Sequence, residues 1–298
     1  MNSVRSFGQG YFLLMLSMSL VGSYVALSKQ LLPSFPPFAL AWVRFIIAAI
    51  FMVPWLLEWR GRWRSVSRLD ALVLFGMSFF GNFLFTMFML FGVAHTSVAA
   101  AGIIMSLLPA TIAVLSVVIL RERLTVPIGL ALLLAIVGVA ALSVQKDSVG
   151  SSLLGNSLMV GALLCEALYV IGAKYLTDGF SPKQIAVSMN TTGLILTTPL
   201  GLYQSTQVDW GSVSFGAWAL LVFYAVSASQ IAPWLWFRGL KSIPASRAGV
   251  MTVALPLTAA ALGIYLFGET WTVWHTFAFV CALFGVVLVT VTGQKKNG

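Results

Sequence analysis

Apolar runs close to the ~20 residues that carry a helix across a hydrocarbon core recur along the chain, near 10–32, 37–57, 70–93, 97–120, 126–145, 152–176, 182–203, 214–240, 245–267 and 271–292. The pattern predicts an all-α membrane protein of ten transmembrane helices. A transmembrane barrel would need short strands alternating apolar and polar positions, and a run such as Val126 to Val144 does not alternate. The first run is longer than the apolar region of a signal peptide, and no convincing small-x-small cleavage site follows it. It is therefore expected to remain in the mature protein as the first helix.

The chain writes one of these stretches twice. Shifting Ala94 to Val144 by 147 positions lays Ala101-Gly102 on Ala248-Gly249, Leu108-Pro109 on Leu255-Pro256, Glu122 on Glu269 and Gly138-Val139 on Gly285-Val286 without a gap. The first runs of the two halves echo each other at an offset of 145, Tyr24 to Lys29 against Tyr169 to Lys174, with Phe35-Pro36-Pro37 against Phe180-Ser181-Pro182. Fixed-period self-similarity marks a repeat architecture. The halves are placed at 1–147 and 148–298, together forming one membrane domain. Five helices per half is an odd number, so the second half enters the membrane from the opposite face. The expectation is two inverted-topology repeats, a construction of secondary transporters with substrate sites near the midplane.

Composition and charge agree with a bilayer. At 59% apolar and 8% charged residues, the chain lacks the polar surface of an ordinary soluble domain. The net charge of +9 is no nucleic-acid footprint, because of where it sits. Arg60, Arg62, Arg64, Arg68, Arg121, Arg123, Lys183, Lys241, Arg247, Lys295 and Lys296 fall in the even-numbered connections and the tail, against Lys146 and Lys29 on the other side. By the positive-inside bias both termini are expected in the cytoplasm. Cys165 and Cys281 lie inside predicted helices, which indicates neither a disulfide framework nor metal-ligand spacing.

Few residues are left to carry chemistry. Glu166 falls two residues from the centre of its run, where an ionisable side chain is costly and functional by default. It is a candidate to hold a substrate ammonium or a proton, against the alternative of a permanent pair with Arg44. Pro109 and Pro256 sit well inside their runs and are expected to bend them, a paired placement suited to gates. Gly102 and Gly249 permit close helix approach and are assigned to packing and gate sliding. In the third run Phe79, Asn82 and Phe83, and in the eighth Ser227, Gln230 and Trp234, offer an aromatic and amide mixture that suits a cavity for amphipathic solutes. Trp236 is a lesser candidate of the same kind, and Tyr24 and Tyr169 join them from the first run of each half. Helix-to-helix hydrogen bonding is the plainer reading of Asn82 and Gln230. Lys29 and Lys174, at equivalent helix ends, are expected to snorkel to the interface.

The doubled Gly…Pro…Glu pattern, with Gly22-Ser23-Tyr24 to Lys29 and Ala41-Trp42-Val43-Arg44-Phe45, resembles the EamA-type ten-helix members of the drug/metabolite transporter superfamily. Within it the chain looks most like bacterial inner-membrane exporters of amino acids, aromatic ones included. The family pattern carries an arginine at Arg44, which the resemblance assigns to structure. Glu166 departs from a plain repeat.

The resulting expectation is a secondary transporter, not an enzyme. It would take a small amino-acid-like substrate and lipid as its partners, with no nucleic acid, cofactor or metal. The first, third and fourth runs with the sixth, eighth and ninth would surround the pathway, and the fifth and tenth would pack outside it. Intramembrane catalysis would need a convergent His/Asp/Glu/Cys cluster, which the sequence does not provide. A sugar-phosphate or nucleotide-sugar antiporter, or a broad drug efflux protein, would share the fold, but a phosphate wants several basic groups at midplane and only Arg44 lies well inside.

Overall fold

A computed structural model describes residues 2–59, 67–112 except Pro109, 114–115, 152–176, 180–240, 251, 254–294 and isolated positions between 126 and 137. Among the described residues there are nine helices and no strand: α1 Asn2–Leu31, α2 Pro37–Trp59, α3 Arg68–His95, α4 Val98–Met105, α5 Leu153–Leu176, α6 Pro182–Ser205, α7 Phe215–Leu240, α8 Ala254–Phe267 and α9 Val273–Gln294. Six of them, α1, α2, α3, α5, α6 and α7, contain a stretch long and apolar enough to cross a membrane. Apart from its isolated positions, the predicted fifth helix lies outside the described residues, as do Pro109, Glu122 and Gly249.

The helices start where serine can satisfy free backbone donors. The hydroxyls of Ser67, Ser97, Ser181 and Ser214 accept from the amides of Asp70, Ala100, Gln184 and Ala217, the N-cap arrangement. At α6 the Gln184 side chain returns the bond to the Ser181 amide, closing a capping box with Pro182 at the first position. α8 ends at Gly268, whose φ of 60° needs a residue without Cβ. Large side chains such as Ile50, Leu72 and Ile195 remain about two-thirds exposed, an apolar outer surface that suits lipid.

Two features of the helices were not predicted. α3 and α7 each contain a π-helical turn, Phe79–Leu84 and Ser227–Ile231, and these end 147 positions apart. α2 and α6 each contain an interior proline, Pro54 and Pro199, 145 positions apart.

Packing interleaves the halves. α2 lies along α6 and α4 along α8, while α1 is embraced by α7 and α8 as α5 is by α3 and α4. Polar side chains stitch α2 to α6: Trp42 Nε1 donates to Thr198 Oγ1 at 3.1 Å, Asn190 Nδ2 to the Phe45 carbonyl at 3.1 Å, and Gln204 Oε1 accepts from the amides of Phe38 and Ala39. At one end, Lys29 does not snorkel as expected. Its ammonium donates to the Thr96 carbonyl at 2.6 Å and lies 4.0 Å from Glu269, whose Oε1 accepts from the Val98 amide at the start of α4. Burial of its stem between α1 and the 96–98 turn places carbonyl and carboxylate acceptors within reach, so no water-facing route is needed. The Lys174 side chain is not among those described.

Small residues set the spacing. A Cβ at Gly22 would strike the Leu255 carbonyl oxygen of α8 and stand 3.0 Å from Thr258 Cβ. Gly22→Ala is therefore expected to lower stability by about 1–3 kcal/mol, read as the thermal unfolding midpoint of the detergent-purified protein. Gly76→Ala, which meets nothing within 4 Å, should leave that midpoint unchanged or raised. Equal midpoints for both variants would show that α1 and α8 are not in backbone contact.

Candidate functional site

Between the halves lies a cavity with about 580 Å³ of unfilled space, its open mouth included. Its walls come from α1, α2, α3, α5, α6 and α7. Most of the lining falls into pairs at the repeat offsets, Ser17, Met18, Ala186 and Trp236 excepted. Tyr24 faces it from α1 and Tyr169 from α5; Val21 and Glu166 are the next such pair, and Arg44 of α2 and Met189 of α6 a third. From the π-turns and the turns after them come Gly81, Asn82, Phe85 and Thr86 of α3 and Ala228, Ser229, Ala232 and Pro233 of α7, each pair 147 positions apart. A π-turn inserts an extra residue into the helical repeat and frequently marks a functional site. Here it rotates the following turn so that two adjacent positions, 81 and 82 or 228 and 229, both reach the cavity.

Of the residues picked out beforehand, the fold therefore gathers Glu166, Asn82, Tyr24, Tyr169 and Trp236 around one space. It places the others elsewhere. Phe79 and Phe83 sit against each other, ring centroids 5.7 Å apart. The Ser227 hydroxyl donates to the Tyr224 carbonyl, Gln230 reaches the Phe51 carbonyl of α2, and the Trp234 ring lies 5.0 Å from the Arg238 guanidinium. The counterpart of Asn82 is Ser229, one residue before the amide at Gln230, because the π-turn resets the helical phase. Gly102 is buried in α4 and Pro256 lies within α8.

Arg44 is part of the cavity wall, not a snorkelling side chain. It is 3% exposed, and its guanidinium lies 4.1 Å from the Phe45 ring centroid and 5.5 Å from that of Tyr224. Both of its hydrogen bonds run from Nη2, to Thr86 Oγ1 at 2.9 Å and Asn82 Oδ1 at 3.3 Å. Asn82 in turn donates through Nδ2 to the Met189 carbonyl at 2.8 Å, so one amide ties α2, α3 and α6 together. Ser17, which also lines the space, donates to the Ala232 carbonyl at 2.8 Å and joins α1 to α7. The Glu166 carboxylate has no hydrogen bond or ion pair to any described residue. No permanent Arg44–Glu166 pair exists in this structure. The helical spacing of Ser17, Val21 and Tyr24 on one face was the sequence signal for the α1 wall. No local signal announced Ser229.

A sequence profile of the EamA-like transporter family matches residues 8–144 and again residues 153–291. The chain belongs to the EamA-like transporter family. It is thus an integral membrane transporter, in keeping with its apolar spans, and not an enzyme. Among its relatives, the Bacillus subtilis protein named "Uncharacterized transporter YetK" is 29% identical over 290 residues, covering 96% of this chain and 88% of the relative. The "Threonine/homoserine exporter RhtA" of Salmonella typhimurium is 24% identical over 264 residues, covering 87% of this chain and 83% of the exporter. A solved crystal structure superposes with a TM-score of 0.64 at 18% identity, over 97% of this chain and 99% of the other, a likeness of fold. Small-molecule cargo and lipid contact follow from family membership.

The bridging amide makes a direct prediction. Asn82→Ala removes one of the two acceptors of Arg44 Nη2 and the donor that reaches the Met189 carbonyl, and should lower stability by about 1–3 kcal/mol in thermal unfolding. Phe83→Leu, away from the bridge, should cost less than half as much; a smaller loss for Asn82→Ala would remove the amide from its bridging role.

Proposed function

We propose that this transporter exports small amphipathic metabolites, amino acids including aromatic ones foremost, across a bacterial inner membrane by alternating access. The observation that carries the reading is the cavity itself, lined largely by equivalent positions of the two halves, with one carboxylate on a mostly apolar, aromatic wall. A site between repeats can be opened to either side by rocking one half against the other. The similarity to a threonine/homoserine exporter supports amino acids as cargo. A sugar phosphate fits less well, since Arg44 is the one cation on the described wall and Glu166 adds repulsion. Broad drug efflux is the remaining reading of the same fold.

In this proposal ten helices form two inverted five-helix repeats, 1–147 and 148–298, with both termini in the cytoplasm. The paired prolines Pro109 and Pro256 and glycines Gly102 and Gly249 serve the gates. Glu166, Asn82, Tyr24 and Tyr169 contact substrate directly. Phe79, Phe83, Ser227, Gln230 and Trp234 act from behind that wall by holding α3 and α7 in place.

Single cysteines at Asp209 and Gln294, in a background lacking Cys165 and Cys281, test the topology with membrane-impermeant thiol reagents. They should label from opposite sides, and labelling from one side only would remove the inverted repeat. Transport is tested by efflux of tritiated L-threonine, L-leucine and L-phenylalanine from proteoliposomes. Glu166→Gln keeps shape and removes charge, and is expected to slow efflux at least about tenfold or to change its pH dependence. Pro109→Ala and Pro256→Ala should slow efflux with binding retained. Parental efflux and pH profile in Glu166→Gln would take the carboxylate out of the mechanism.

A further inference from the structure

Two opposite charges share the cavity wall and do not neutralise each other. Arg44, buried, spends its hydrogen bonds on neutral oxygens of Thr86 and Asn82, and its Nε has no partner. Glu166 has no described donor at all. An isolated ion away from water is strongly unfavourable, and burial is tolerated when a partner of opposite charge and further hydrogen bonds are present. Among the described residues neither charge has such a counter-ion. Repeat symmetry sharpens the point. The positions equivalent to Arg44 and Glu166 are Met189 and Val21, both apolar and both on the same wall. The two ionisable side chains of the wall thus stand opposite apolar counterparts, one in each half, and together they give the cavity an electrical direction.

More unused donors belong to the same cavity wall. Its guanidinium stands 5.5 Å from the Tyr224 ring of α7. The same helix carries Ser229 and Trp236, two lining residues at least nine-tenths buried, whose Oγ and Nε1 are buried without a hydrogen-bond partner. A guanidinium, a hydroxyl and an indole N–H match a carboxylate, which only accepts. Glu166 has the complementary need, because a carboxylate is matched by an ammonium with its three donors.

We propose that the cavity recognises its substrate as a zwitterion, with the substrate carboxylate on Arg44, Ser229 and Trp236 and the ammonium on Glu166. This rests on the amino-acid reading above and narrows it: the head group is read by charge at both ends, and the uncharged side chain lies against the apolar wall formed by Met18, Phe85 and Met189. Arg44 thereby becomes a substrate-binding residue as well as a brace between α2 and α3.

The test uses the full chain in proteoliposomes, measuring counterflow of tritiated L-threonine, L-leucine and L-phenylalanine. For the one that exchanges fastest, three unlabelled competitors are compared: the amino acid, its methyl ester lacking the carboxylate, and its N-acetyl derivative lacking the ammonium. Both blocked forms are expected to compete at least about tenfold more weakly than the parent. In Glu166→Gln the handicap of the N-acetyl form should largely vanish while that of the ester persists, a one-ended change that a merely structural role would not produce. Should that variant not fold, the wild-type series decides alone. Esters and N-acetyl forms competing as well as the parent would overturn the zwitterion proposal and leave amino-acid transport standing. No exchange of any amino acid, or competition by glucose 6-phosphate alone, would overturn the transport reading and this inference with it.

Discussion

A guanidinium within a membrane protein has to be solvated by something other than lipid, and the centre of this molecule is arranged around that requirement. Arg44 sits on α2, takes two neutral acceptors from α3, and is covered by the Phe45 and Tyr224 rings. The aromatic faces supply part of what water would have given. Asn82 extends the arrangement to α6 by donating to the Met189 carbonyl. Three helices are thus registered against one another by a charge that would be untenable on the outer surface. The same requirement keeps Glu166 on the inner wall.

Around this centre the two halves build one space from equivalent positions. Each contributes a tyrosine from its first helix and a π-helical turn from its third, and each π-turn brings two consecutive residues to the wall. Such a turn weakens regular helical hydrogen bonding, and its recurrence at the repeat offset indicates selection for the shape it imposes. The close contacts lie at glycines. Gly22 admits the α8 backbone, and Gly81 admits the Tyr169 side chain, whose Cδ2 would stand 2.7 Å from an added Cβ. Shape is therefore shared by the halves, while charge is not.

The contacts at the ends of the helices differ in kind. Glu58 and Lys183 meet at 2.9 Å on an exposed surface, where an ion pair contributes little. The Lys29, Thr96, Glu269 and Val98 group is more enclosed, and it ties α1, the start of α4 and the end of α8 in one network.

Length and apolar runs were sufficient to read membrane helices, because spanning a bilayer imposes a composition and a length on each helix separately, while the family was read from the motifs that resemble it. The isolated carboxylate at Glu166 was legible for the same reason: it is a local demand of one helix. Which faces meet was not legible. A helix of nearly uniform hydrophobicity carries no amphipathic stripe to announce its inner side, so Phe79, Phe83, Gln230 and Trp234 stood out as strongly as Asn82, and Arg44 read as a brace alone. The π-turns decided between them by shifting helical phase where no proline or glycine pair marked the shift. Arg44, Ser229, Trp236 and Glu166 come from three helices, and only the packing of those helices brings them to one cavity wall.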